Sequence, residues 1–363
     1  ARFEVTPTGF RAQVSSTDEW WYIEPRNSLD TSSYLSFRRD DRTSWGEWEE
    51  DPRWAEFHGE HDDAGEPTDS RRGDVPRART NGDELRTYRL AVSADRTYSA
   101  LAGGTVQATM SAITTAVSRL NGIYTPELSI RFQLVSGNDQ LIFLTDSGCG
   151  GSTPGTVPGP NCDPFSSNNG ANLNANQTLV DTVIGDANYD IGHVFTGLGC
   201  GLAAGSVVGR SGLKAAGCSG AGATTSDLFV VDYAAHEIGH QFGAEHTFNG
   251  CSGLNGNRVS GAAYEPGSAT TIMGYAGICG TDNVQVLGEP LNANGASDPY
   301  FHSESYEEIV AYTTTPGSPG NLGAAGNGNT IPTADAGTDG TIPDSTPFRL
   351  TGLSSDGDGG DVL

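Results

Sequence analysis

Lysine is almost missing from this chain: Lys214 is the only one among 363 residues. Methionine is nearly as scarce, with Met110 and Met273 alone. No cysteine precedes Cys149, which excludes a cysteine latch in the first 148 residues. No apolar run approaches the roughly 20 residues that cross a bilayer as a helix. The opening ARFEVTPTGF has neither a methionine nor the basic start and apolar stretch of a signal peptide, so it reads as processed or cut, with any export signal outside this sequence. Positive charge is also short: 20 Lys and Arg stand against 45 Asp and Glu, a formal net charge of −25. That balance argues against nucleic acid and anionic membranes as partners. Arginine in place of lysine reads equally well as codon bias or, with the acidic surface, as adaptation to salt.

What is present is glycine, 50 residues of it, and six cysteines between Cys149 and Cys279. An even cysteine count without a CxxC pair reads as three disulfides in an oxidising compartment. Nearest-neighbour pairing, 149–162, 200–218 and 251–279, closes the shortest loops. Residues 1–40 alternate around Trp20, Trp21, Tyr22 and Ile23 as a few strands. Residues 41–86 are dense in mixed charge and poor in aliphatics, as a linker is; Arg71, Arg72, Arg77 and Arg79 make them either a processing site or an ordinary charged loop.

From Thr87 the pattern is regular. TYRLAVSA reads as a strand, 104–120 as a helix, 128–135 and 141–144 as strands, 176–184 as a short helix and 191–195 as a buried strand. This order implies a mixed α/β sandwich. The strongest helix spans 228–242, capped by Ser226 or Asp227, and another spans 305–312. Residues 314–330 have the composition of a Gly/Pro/Asn linker, and 331–363 open a new pattern too short for its own core.

One constellation carries chemistry: His236-Glu237-Ile238-Gly239-His240-Gln241-Phe242-Gly243-Ala244-Glu245-His246. Residues i and i+4 share a helix face, so His236 and His240 grip one metal ion. Gly243 permits the turned backbone that ends the helix and returns His246 as a third ligand. Three neutral histidines with a fourth position open are a catalytic zinc site rather than a closed structural one. Glu237 follows the first ligand, placing its carboxylate to act as general base on a zinc-activated water.

The pattern HExxHxxGxxH resembles the metzincin zinc endopeptidases. Thr271-Ile272-Met273-Gly274-Tyr275 is similar to their methionine turn, and the resemblance implies that Met273 forms an apolar floor beneath the ligands. The similarity covers about 87–313 and is strongest to the reprolysin-like branch, which includes the adamalysins, and to its secreted bacterial members. It implies an α/β (α+β) fold, namely a metzincin-type catalytic domain with a twisted mixed five-stranded sheet, an active-site helix and a Met-turn, preceded by a small β-rich pro-segment. By the same resemblance GCGLAAGS, with Gly201, Leu202, Ala203 and Ala204, is the edge strand to which an extended peptide adds by main-chain hydrogen bonds. Two positions depart from the pattern. Thr247 stands where adamalysins usually carry Asp, and Tyr275 is similar to the tyrosine of astacins and serralysins that binds zinc and swings to the transition state. Tyr275 either acts in this way or packs the turn.

The resemblance divides the chain into a propeptide remnant (1–40), a charged linker (41–86), a catalytic domain (87–313), a linker (314–330) and the start of an Ig- or PKD-like sandwich (331–363). The expected protein is a secreted zinc endopeptidase, in proenzyme form if the pro-segment is attached. It would meet protein or peptide substrates as a monomer, with no nucleic acid or membrane partner. A binding module on the same scaffold, catalytically weak, is the alternative. Asp356, Asp358 and Asp361 read as a calcium site or as an acidic loop. Asn176-Gln177-Thr178 fits a glycosylation sequon; His58 and His61 read as loop residues, and His193 and His302 as structural.

Overall fold

The computed structural model describes residues 2–15, 20–27, 30–38, 82–145, 162–167, 169–284, 297–330, 333–335 and 353–355. The linker with His58 and His61, Cys149 and the DGDGGD tail lie outside the described residues.

The aromatic N-terminal segment forms an antiparallel sheet of β1 (Arg2–Thr6), β2 (Gly9–Ser15), β3 (Trp20–Asn27) and β4 (Asp30–Arg38), in that order. The second sheet is built on β5 (Glu84–Ala94), which starts three residues before the expected Thr87. Its last five residues are all buried, as a central strand covered on both faces requires. A short helix α1 (Arg96–Leu101) follows, and then α2 (Val106–Leu128). Ile113, Ala116, Val117, Leu120, Ile123 and Tyr124 give α2 one apolar stripe against the sheet.

α2 outruns the expected end at Leu120. Asn121-Gly122 is a poor pair for a helix interior, but tertiary contacts absorb it, and the helix also runs through Pro126. The Asn121 amide donates to Phe132 O at 2.9 Å and accepts from Phe132 N at 2.6 Å. Gly122 gives room to Gln13 of β2, whose amide would lie 2.7 Å from any Cβ there.

Strand β6 (Ile130–Leu134), helix α3 (Asn169–Val180) and strands β7 (Ile191–Phe195), β8 (Cys200–Ala203) and β9 (Gly217–Gly220) complete the domain's sheet region. β6 and β7 pair with β5 in parallel on opposite sides; β9 pairs with β7 in parallel, and β8 closes the edge antiparallel to β9. The apolar run 141–144 is not a strand: Asn138–Leu141 is a 3-10 turn and only Ile142 bridges to Ala94. The fifth strand of the mixed sheet is β9 instead, whose sequence GCSG has no strand-forming side chain.

The helix predicted over 228–242 is a run of wide π-type turns, Leu228–Ala235, continuing as α4 (His236–Gln241). Ser226 rather than Asp227 serves its start, its hydroxyl accepting from Phe229 N at 3.2 Å. α5 (Ser303–Thr314) is capped by the imidazole of His302, which accepts from Glu304 N. The stretch read as linker from its composition then runs back along the sheet. Gly320 O accepts from the Tyr88 hydroxyl at 2.5 Å, and β10 (Ala324–Gly326) pairs with the start of β5 as a sixth strand. β11 (Thr333–Asp335) and β12 (Leu353–Ser355) pair with each other.

The sheet thus has two covered faces. α2 and the motif helix lie on one, with Tyr88, Leu90 and Val92; α3 lies on the other, with Ala91, Tyr189 and Ala215. Cys200–Cys218 ties β8 to β9 and Cys251–Cys279 ties the loops beyond α4, so two of the expected pairings are present. Asn176 is fully buried, bonded to Ser93 and Ala215 O, so in the folded chain the sequon is closed to a glycan.

Candidate metal centre

His236 and His240 project from successive turns of α4, and both are buried. The helix stops at Phe242. Gly243 then takes φ 96°, and a Cβ there would meet Ser206 Oγ at 2.6 Å, so only glycine turns the chain at this point. Three residues later His246 faces the other two. The three Nε2 atoms lie 3.0–3.2 Å apart.

Main-chain carbonyls fix the tautomers. Nδ1 of His236 reaches Ile272 O at 2.7 Å, that of His240 reaches Ala244 O at 2.6 Å, and that of His246 reaches Asn257 O at 2.7 Å. Each carbonyl only accepts, so each Nδ1 carries the proton and each Nε2 turns a lone pair inward. Three lone pairs this close repel one another unless a cation sits among them. Nitrogens about 2.0–2.1 Å from a tetrahedral zinc ion are about 3.3 Å apart, so the donor set fits zinc. Among the described residues this is the only cluster of at least three His, Cys, Asp or Glu with metal-ligand geometry. His193 is not part of it: it is fully buried between Gln241 and Ser219, at 2.8 Å from each.

The methionine turn lies under the ligands. Met273 is fully buried, and a Cβ on Gly239, directly before His240, would touch its sulfur at 2.6 Å. The same turn supplies the Ile272 carbonyl for His236. Tyr275 packs its ring against His246, with centroids 4.7 Å apart, and against Phe248 at 4.6 Å. Its hydroxyl accepts from the Asn257 amide at 3.1 Å. Thr247 N donates to Met273 O at 3.1 Å, which joins the segment after the third histidine to the turn.

Glu237 is buried, and desolvation holds its carboxyl well above the usual range. Its Oε1 would be 3.1 Å from a Cβ on Gly201. That places the carboxylate beside β8, the strand at the sheet edge, with no strand on its outer side among the described residues. Gly201 and Leu202 are half-buried, Ala203 is buried, and Ala204 N bonds back to Ala216 O at 2.9 Å. The structure therefore brings together the three histidines, Glu237, Met273, Tyr275 and the β8 residues.

Residues 110–247 match the family model for metallo-peptidase family M12B, reprolysin-like. The matched stretch holds all three histidines and Glu237 and ends before Met273. Together with the histidine cluster it supports a reprolysin-like metzincin and a zinc metallopeptidase. No curated protein matches the chain.

Some residues escaped the sequence. Ile272, Ala244 and Asn257 act through carbonyls, which every residue has, so no side-chain pattern marks them. Glu265 carried a signal that can be read afterwards: it is an acid within AAYEPGSATT, among small and neutral residues, and it is buried.

Proposed function

We propose that the chain is a secreted zinc endopeptidase acting on extended polypeptides, with Glu237 as its general base. The observation that carries this reading is the three Nε2 atoms, tautomers fixed, converging beside a buried carboxylate at a sheet edge. Zinc held by His236, His240 and His246 supplies Lewis acidity and brings the pKa of water toward neutrality.

The chain's own residues do the rest. An extended peptide lies along the Gly201, Leu202, Ala203 and Ala204 edge and is held by those main-chain groups of it that do not face β9, which places one carbonyl beside Glu237. Glu237 takes the proton from the attacking water and returns it to the leaving amine. Its desolvated surroundings favour the protonated form it must hold between these two transfers. Tyr275, whose ring packs against His246 and whose hydroxyl accepts from Asn257, either stabilises the developing oxyanion or only packs the turn. The disulfides support an oxidising, extracellular setting. The N-terminal sheet is read as the attached pro-segment, and 41–86 as the region cut on activation.

Casein hydrolysis with and without a chelator tests the proposal. Cleavage should vanish with chelator and return with zinc. Glu237→Ala should keep its zinc yet lose about two to four orders of magnitude in rate. Zinc-loaded protein freed of residues 1–81, which leaves β5 whole, and cleaving nothing would leave the binding-module reading in its place.

A further inference from the structure

Glu265 is a carboxylate at 8% exposure with no ion pair to a lysine or arginine among the described residues, yet all its acceptor positions are filled. One oxygen accepts the hydroxyls of Thr247 at 2.6 Å and Thr271 at 2.5 Å. The other accepts the main-chain N–H groups of Thr270 at 3.1 Å and Thr271 at 3.3 Å. Its own N–H donates to Thr247 O at 2.9 Å.

These partners belong to the two segments that set the histidines. Thr247 directly follows His246. Thr271 directly precedes Ile272, whose carbonyl orients His236. Thr247 and Thr271 are both buried, so water does not compete for these bonds. A charge buried without a counter-ion is costly and persists only where donors replace its hydration. Here four donors do so, and each becomes fixed relative to the others. We infer that Glu265 is a positioning residue for the metal centre, clamping the segment after His246 to the turn behind His236 so that their Nε2 atoms converge. The inference rests on the zinc-site reading above, and it does not require Glu265 to touch substrate or metal.

The test measures zinc affinity by chelator competition, the visible spectrum of the cobalt-substituted protein, and the melting temperature of the metal-free protein. Glu265→Ala should weaken zinc binding about 10- to 100-fold, the range for partners that orient metal ligands. Glu265→Gln should restore most of it. The amide oxygen can keep the two main-chain N–H groups, and its NH2 can serve the two hydroxyls, which rotate to accept. If Glu265→Ala does not fold, Thr247→Val decides, since it deletes one hydroxyl at nearly constant shape. Thr247→Val should weaken zinc binding about tenfold and shift the cobalt spectrum, with the metal-free melting temperature little changed. Folded variants that bind zinc within twofold of the parent, with an unchanged cobalt spectrum, overturn the inference, since a merely structural role would lower only the melting temperature. Zinc affinity decides Glu265, and casein cleavage by the unsubstituted protein freed of its N-terminal segment decides the peptidase, so each can fail without the other.

Discussion

Gly201 is where the absence of one carbon has a chemical consequence. A β-carbon there would sit 3.1 Å from Glu237 Oε1 and 3.5 Å from the Tyr233 ring, tighter than ordinary packing to the carboxylate. The strand is pinned by Cys200–Cys218, so the carboxylate must move instead. Gly201→Ala is therefore expected to cut kcat about tenfold, because sub-ångström displacement of a reacting group is costly. Zinc content should stay at one per chain. Steady-state kinetics with metal analysis checks this, and an unchanged kcat would place the working position of Glu237 away from β8. Thr247 belongs to the same scale. In sequence it is only a departure from a pattern; in the fold its hydroxyl is the link to Glu265.

Whole elements were legible where periodicity matched burial. β7 is a fully buried run, and α2 carries a stripe at helical spacing. The metal centre was legible because the i, i+4 histidines and Gly243 each have a local geometric job. β9 was not, because GCSG becomes a strand only by lying between β7 and β8. Residues 141–144 failed in the opposite way: the apolar run is real, but Leu141, Ile142 and Phe143 are buried from a turn, without a ladder. His193 in β7 gives this scale its own prediction. Its ring lies between Gln241 of the motif and Ser219 of β9, neither of them charged, and burial lowers its pKa from 6.5 to about 4. Above pH 6.5 both folded and unfolded states hold it neutral, and its contribution is complete. Between 6.5 and about 4 only the unfolded state takes up the proton, so stability falls with pH and levels off below. The full loss is on the order of 3 kcal/mol. Denaturant melts of the metal-free protein across this range should show it, and His193→Asn should remove that part of the slope. Equal slopes in the two proteins would show that His193 titrates freely.

At the scale of the molecule, the N-terminal sheet and the rest of the chain share one buried ion cluster. Arg119 of α2 bonds Glu24 of β3 and Thr225 O, lies 3.7 Å from Asp227, and stacks 4.5 Å over the Tyr22 ring. The Tyr22 hydroxyl donates to Asp227 Oδ1 at 3.0 Å. Asp227 immediately precedes the π-type turns that lead to His236, so β3 braces the far end of the motif helix. Arg119 and Asp227 are 6% and 4% exposed, so neither charge can fall back on water. Arg119→Ala takes the guanidinium away from a buried carboxylate and should cost about 3 kcal/mol. Tyr22→Phe removes one hydrogen bond to that carboxylate and should cost about 1 kcal/mol. The two losses meet at Asp227, so their effects should not add. Once Arg119 is gone, Asp227 depends more on Tyr22, and the second loss should exceed the first-order value by about 1 kcal/mol. Equilibrium unfolding of the two single variants and the double variant measures that coupling. Strict additivity would mean that Arg119 and Tyr22 do not meet at Asp227, leaving the Arg119–Glu24 pair as the polar tie between the sheet and the domain.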